Sequence, residues 1–389
     1  MKFNKIYLLL AWILSLFLPK RKIVYFSSFF GQYNDNPKYI SEKLHEIYPT
    51  IPIYWLKSKR NRESFPGYVK AVDINSFKHY LLMFTALVTI DNQLGMRSIW
   101  GVTNPLKRIF FISMNKSLQK QLNIGTWHGT PLKKIGKDSL DNIPNSTICK
   151  CLSYTISGCE YTERKLASAF GNDMTIKRIG TPRNDIFFKE INKNKICNKL
   201  KIPTDKKILL FAPTFRGDVS LSGPQQIQDI DWFKLNNILK EKFGGEWSIV
   251  VRVHPHVLSE IKFDSNSGLI NGNIGDDMAE YLSITDILIT DYSSSFFDFM
   301  LSKRPSFLYT PDISSYSGER GLYININSLP LTQSHNPEQL YQNIEKFNNM
   351  TFIKNIEDFL TKEIGNYEDG HASEKIANDI RNFICSSKS

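Results

Sequence analysis

At 389 residues the chain has room for two domains, and 41% hydrophobic with 22% charged residues is ordinary globular usage. This excludes a mainly disordered chain, a collagen-like repeat and a polytopic membrane protein. The formal net charge of +11 attracts anions such as nucleic acid, acidic lipid or phosphorylated substrate, or else marks a generally basic surface. Five cysteines, an odd number, cannot make a dense disulfide scaffold, so the thiols are read as reduced and cytosolic.

Residues 6–18 read IYLLLAWILSLFL, flanked by Lys2 and Lys5 before and by Pro19-Lys20-Arg21-Lys22 after. Thirteen residues are too few for a spanning helix, which needs about 20, and no small-residue cleavage site follows. A buried N-terminal helix is one reading. The preferred one is an interfacial anchor over residues 1–22, with Trp12 and Phe17 at the headgroup level and the cations on anionic lipid. The protein is then expected at the cytoplasmic face of the cell membrane, peripherally attached.

From Ile23 onward short apolar runs alternate with amphipathic stretches, the pattern of α/β layering. Strands are predicted at 23–26, 51–56, 87–90 and 154–157, with helices at 37–47, 77–86 and from Glu160. The stretch 189–206 is polar and Lys-rich, and the domain boundary is placed in it. The pattern restarts with strands at 208–211, 248–253, 287–289 and 307–309, and a helix carries Trp232, Leu235 and Leu239. The tail 336–384 is mostly helical. The predicted organisation is a first Rossmann-like domain over 23–190, a linker at 191–206, a second Rossmann-like domain over 207–370 and a C-terminal helix over 371–389.

In an open α/β sheet ligands bind beyond the carboxyl ends of the strands, so the polar clusters after strand runs are the candidates. Gly125-Thr126-Trp127-His128-Gly129-Thr130-Pro131 puts an imidazole suited to general-base work beside a Gly that lets a ligand approach. Arg252-Val253-His254-Pro255-His256 puts a cation and imidazoles on one strand face, a phosphate clamp. Zinc is the weaker reading, because no Cys or carboxylate ligands stand nearby. Thr290-Asp291-Tyr292-Ser293-Ser294-Ser295 opens a helix: its serines cap it or meet an anion, and Asp291 orients a neighbour or holds the turn. Ala212-Pro213-Thr214-Phe215-Arg216-Gly217 and Gly180-Thr181-Pro182-Arg183-Asn184-Asp185 each place an Arg and small residues at a strand exit. No Walker loop or nucleophile elbow occurs, the cysteines lack zinc-finger spacing, and Asp229-Ile230-Asp231 reads as a helix cap.

TWHGTPLKKIG, GTPRND, FAPTFRG, RVHPH and TDYSSSFFDFMLSKRP, in this order, resemble the CDP-glycerol:poly(glycerophosphate) glycerophosphotransferase family. SSFFGQYNDNPKYI and EDGHASEKI are also similar to it, and the likeness covers about residues 23–380. The resemblance implies a GT-B-like fold, two Rossmann-like domains facing a cleft, and no metal or other cofactor. It implies transfer of glycerol phosphate or ribitol phosphate from CDP-glycerol or CDP-ribitol to a hydroxyl of a polyprenyl-linked or oligomeric acceptor, releasing CMP. By similarity His128 is the base and His254 the second catalytic imidazole. Arg252, Asp291, Ser293, Ser294, Arg320, Thr214 and Arg216 fall on the donor side, and Gly129, Thr130, Arg183 and Asn184 on the acceptor side. The likeness is closer to the compact members, primases and polymerases among them, than to polymerases with a long N-terminal extension. Two rivals are a GT-B glycosyltransferase using a nucleotide sugar and a non-catalytic lipid- or nucleic-acid-binding protein. The basic stripes interleaved with aromatics that nucleic acid would require are not seen.

Overall fold

A computed structural model describes residues 4–93, 120–139, 152–214, 223–253, 263, 268–313 and 321–387. The chain divides into two compact units: Met1–His128, Gly136–Phe188 and Tyr367–Ser389 make the first, and Gly129–Ile135 with Lys189–Asn366 the second.

Among the described residues the first unit is built on seven parallel strands: β1 (Arg21–Ser27), β2 (Ile53–Lys57), β3 (Val69–Asp73), β4 (Ala86–Asp91), β5 (Leu122–Gly125), β6 (Tyr154–Ser157) and β7 (Ile176–Arg178). Their order is β3-β2-β1-β4-β5-β6-β7. A parallel sheet is covered on both faces, so its central strands are apolar throughout rather than alternating. In β1, Val24 and Phe26 enter a layer with Trp55, Ile40 and Leu44, and with Ile376 and Ile380 of the helix Ala372–Ser386. Ile23 and Tyr25 enter the opposite layer with Tyr80, Leu82 and Met83 of the helix Phe77–Thr85, and with Leu8 and Ala11 of the helix Lys5–Ser15.

The second unit has six parallel strands: β8 (Lys207–Ala212), β9 (Trp247–Val251), β10 (Leu269–Asn271), β11 (Ile287–Thr290), β12 (Ser306–Tyr309) and β13 (Thr332–Ser334), in the order β10-β9-β8-β11-β12-β13. Leu209, Phe211, Ile249 and Ile289 pack under Leu235 and Leu239 of the helix Trp232–Phe243 and under Leu340 and Ile344 of the helix Pro337–Glu345. Both sheets therefore wind outward in both directions from their first strand. Each reverses beside it, between β1 and β4 in one unit and between β8 and β11 in the other, which are the switch points where such sheets bind ligands.

The predicted strands with long apolar runs are all present. The strand expected over 248–253 stops at Val251, which leaves Arg252 outside it. The expected linker 191–206 contains the helix Lys193–Leu200, capped by Asn192 and burying Cys197 and Leu200. Its Lys193 and Lys199 pair with Asp286 and Glu280 of the second unit. Two inward apolar residues in eight are too few to announce a helix. Asp231 caps the helix Trp232–Phe243 by accepting the Lys234 amide at 3.0 Å, as its position suggests.

The N-terminal apolar run is a helix with two characters. Leu8, Ala11 and Ser15 face the unit's core, while Ile6, Leu9, Leu10, Ile13, Leu14 and Phe17 point outward. Trp12, expected at a headgroup level, instead packs half-buried against the core layer. Lys20, expected in the lipid-facing cluster, donates to the carbonyl of Phe84. Among the described residues no helix is long and apolar enough to cross a membrane.

Asp185 caps the helix Ala372–Ser386, accepting the amides of Ala372 at 3.0 Å and Ser373 at 2.8 Å. Asp185→Ala should cost about 1–2 kcal/mol of stability, read by urea unfolding. Acid should act through His79, whose Nδ1 lies 2.7 Å from the Tyr25 hydroxyl and whose burial lowers its pKa from 6.5 to about 4. Between those values the unfolded chain takes up a proton that the native state refuses. The contribution is therefore complete above pH 6.5 and lost as pH falls toward 4, up to about 3 kcal/mol. Thermal melts from pH 7 to 4 should show a shallower decline in His79→Gln than in the wild type.

Candidate functional site

At the exit of β5 the backbone turns sharply. Trp127 has φ +53° and Gly129 φ +117°, a left-handed turn that a bulky residue such as Trp adopts only under constraint. The facing loop after β1 is equally unusual, with positive φ at Phe29, Phe30, Gly31 and Asp35. Asn36, fully buried at the start of the helix Asp35–Ile47, supplies the constraint. Its Nδ2 donates to the carbonyls of Thr126 (3.2 Å) and Trp127 (3.0 Å), and its Oδ1 accepts the Arg183 amide (3.1 Å). One guanidinium nitrogen of Arg183 donates to the carbonyl of His128 at 2.8 Å and to Asp35 Oδ2 at 3.0 Å. The carbonyls of residues 126, 127 and 128 are thus all held by side chains from distant segments.

The His128 ring stacks on Trp127, centroids 4.2 Å apart, and lies 5.6 Å from the ring of Phe29. Burial, helped by the Arg183 charge, lowers its pKa from 6.5 to about 4. The imidazole is therefore neutral at ordinary pH and has a nitrogen lone pair to offer.

GTPRND serves this arrangement from below. Arg183 pins the turn, Asp185 caps the last helix, and Asn184 donates to Glu368 Oε1 at 3.2 Å. Glu368 Oε2 in turn accepts the Thr181 amide at 2.8 Å, and its carboxylate fills the space where a Cβ on Gly158 would stand. Arg183 and Asn184 were expected on the acceptor side; the structure gives them these internal bonds. Gly129 and Thr130 fall in the segment Gly129–Ile135, grouped with the second unit, where Leu132 and Lys134 bond the backbone of Tyr323 and Gly321. Asp35, Asn36 and Glu368 were not singled out from the sequence. Their only signal was membership of the stretches SSFFGQYNDNPKYI and EDGHASEKI, where polar residues among Gly and Pro read as turns.

In the second unit Asp291 is fully buried at the end of β11. Its carboxylate accepts the Thr214 amide (2.8 and 3.0 Å) and the Thr214 hydroxyl, tying the exits of β8 and β11 together at the switch point. Thr290 Oγ1 donates to the carbonyl of Ala212 and closes the same seam. Ser293 Oγ bonds Ser295 Oγ (2.8 Å) and accepts the Ser295 amide (3.3 Å). Ser294 stands at the start of the helix Ser295–Met300, and its hydroxyl makes no capping bond.

Arg252 was expected to share a strand face with His254. Its guanidinium instead donates to the carbonyls of Gly272 (2.7 Å), Gly275 (3.2 Å) and Asp276 (3.3 Å) and lies over the Tyr281 ring. It holds the loop after β10. Asn273 of that loop bonds both the amide and the carbonyl of Val253, fixing the backbone where β9 ends. His254, His256, Arg216 and Arg320 lie outside the described residues. Among those described, no three His, Cys, Asp or Glu side chains group as metal ligands.

Two parallel α/β units, each with tied loops at its switch point, define the class. Residues 9–382 match the family model of CDP-Glycerol:Poly(glycerophosphate) glycerophosphotransferase, and the chain belongs to that family. It is 32% identical over 325 residues to a teichoic acid poly(glycerol phosphate) polymerase of Staphylococcus epidermidis, covering 79% of this chain and 43% of that one. The chain thus spans about two fifths of that relative's length, and of a Bacillus subtilis polymerase likewise. A Bacillus spizizenii protein of the same description is 29% identical and covers 97% of this chain and 96% of its own. A solved structure of the wall teichoic acid polymerase TagF superposes with a TM-score of 0.78 at 27% identity, covering 96% of this chain and 93% of that one.

Asp291→Ala would leave the Thr214 amide and hydroxyl without their acceptor. The expected cost is about 1–3 kcal/mol in urea unfolding, with Asp291→Asn retaining part of it.

Proposed function

We propose that the chain transfers a polyol phosphate from a CDP-activated donor to an acceptor hydroxyl, forming a phosphodiester and releasing CMP. Glycerol phosphate is the first candidate and ribitol phosphate the second; relatives named for each occur. The observation that carries the reading is the neutral His128 imidazole, held on a pinned turn at a strand exit in a chain of this family.

In this mechanism the hydroxyl oxygen attacks the phosphorus that bears the polyol, and the P–O bond to CMP breaks. His128 takes the hydroxyl proton. A pKa of about 4 makes it a weak base in the free protein, and an anionic donor brought beside the ring raises its proton affinity toward the useful range. Ser293, Ser294, Thr214 and Asp291 belong to the donor side: hydroxyls and amides at the second switch point hold the diphosphate, with Asp291 keeping the Thr214 loop in place. Arg252 acts through the loop it anchors. His254, Arg216 and Arg320 stay on the donor side by family resemblance. Positioning and fixed charge supply most of the rate in phosphoryl transfer.

The reading includes the GT-B-like arrangement of two halves facing a cleft, supported by the TagF match over 96% of the chain. It includes a polyprenyl-linked or oligomeric acceptor in teichoic acid or capsule synthesis. It also includes peripheral attachment to the cytoplasmic face of the membrane, supported by the outward apolar side chains of the helix Lys5–Ser15.

A donor panel of CDP-glycerol, CDP-ribitol and UDP-sugars tests the class, with nucleotide release followed by chromatography. CMP from a CDP-polyol is expected, and turnover of UDP-sugars alone would replace the reading with a glycosyltransferase. His128→Ala should lower kcat about 10²–10⁴-fold with CDP affinity by calorimetry unchanged. Asn36→Ala should lower kcat by about 10–100-fold through misplacement of the turn, again without weakening CDP. Wild-type turnover in both would remove His128 from the chemistry.

A further inference from the structure

The first unit carries a basic cluster that neither switch-point site uses. The ring of Tyr54 has three cations gathered around it, Arg21 at 5.8 Å, Lys70 at 5.5 Å and Lys78 at 5.5 Å from its centroid. Arg21 opens β1, Lys70 is the register partner of Tyr54 across β2 and β3, and Lys78 lies in the first turn of the helix Phe77–Thr85. All three are exposed, and among the described residues none forms an ion pair with a carboxylate. Three like charges within about a Debye length of one another repel unless an anion joins them.

The cluster borders the N-terminal helix. Tyr54 shares a core layer with Leu8 and Ala11, and the ring of Tyr7 meets that of Phe77, the residue before Lys78, at 6.1 Å. The outward side of that helix is apolar, with Phe17 just beyond it 80% exposed, Ile6 70% and Leu10 50%. Eleven residues reach about 16 Å, half of a bilayer's hydrocarbon core, which is too short to cross one. An apolar stripe edged by unpaired cations matches a surface whose interior is hydrocarbon and whose rim is phosphate.

We infer that Arg21, Lys70 and Lys78 form a docking site for the headgroup phosphates of an anionic phospholipid bilayer, beside the point where the helix Lys5–Ser15 lays its outward side chains into the interface. The inference rests on the membrane attachment proposed above and adds its lipid selectivity and the residues that confer it. Each cation near an anionic surface is worth about a fivefold gain in binding, so three give about a hundredfold.

The test is co-sedimentation of the full chain with vesicles of pure phosphatidylcholine or of phosphatidylcholine with phosphatidylglycerol. The wild type should prefer the phosphatidylglycerol vesicles by about 10–100-fold, and 0.5 M salt should remove the preference. Arg21→Gln/Lys70→Gln/Lys78→Gln should bind both vesicles equally, while Lys234→Gln/Lys240→Gln/Lys242→Gln, with the same change of net charge, should keep the preference. Leu10→Gln/Ile13→Gln/Phe17→Gln should lose binding to both. Circular dichroism checks that each variant is folded; the single variants Lys70→Gln and Lys78→Gln, each with a partial loss, stand in for a triple variant that is not. A preference that survives the first triple variant, or is lost equally in the control, would overturn the headgroup site and leave attachment standing. No binding of the wild type to either vesicle would overturn attachment itself.

Discussion

The carbonyls of Thr126, Trp127 and His128 leave β5 in a turn that its own residues disfavour, and three bonds from Asn36 and Arg183 hold it. Each bond is worth only about 1 kcal/mol net, but an unmet buried carbonyl costs more, so the turn has few other conformations to adopt. That restriction fixes where the imidazole stands. The same Arg183 is neutralised by Asp35, so its charge depresses the proton affinity of His128 without itself being left unpaired in the interior.

The second unit meets a parallel constraint with a different residue. Two adjacent parallel strands running to the same edge present loops that diverge, and a ligand site needs them held at a fixed spacing. Asp291 does this with a single carboxylate spanning to Thr214, and Arg252 and Asn273 do the same for the loops after β9 and β10. Much of the polar inventory at the strand exits is therefore spent on shaping loops. Among the described residues the Ser294 hydroxyl makes no capping bond, and the His128 ring is held through its backbone and its stacking on Trp127.

This explains how far the sequence could be read. β1, β8 and β11 are uninterrupted apolar runs and were plain, whereas β7, β10 and β13 have three residues each and no periodicity to detect. Asp291 stands out because it follows such a run directly, and His128 because it lies between Trp127 and Gly129 just beyond a strand exit. Asn36 does not, because its partners lie 90 to 147 residues away and nothing in its sequence neighbourhood differs from an ordinary helix start. Arg252 lies just past the end of β9 rather than within it, and an apolar run that continues to Val253 does not mark where the strand stops. The N-terminal helix was legible as apolar but not as two-sided: whether an apolar helix is core or interface depends on what covers it, and here one stripe is covered and the rest is not.

The pinned turn holds His128 as a neutral imidazole. Histidine-selective NMR, with the His128 signal assigned from His128→Gln, measures this directly by titration of the intact chain. His128 is expected to stay neutral down to about pH 4, and Arg183→Gln to move its midpoint upward. A midpoint near 6.5 in the wild type, unchanged on removing Arg183, would contradict it.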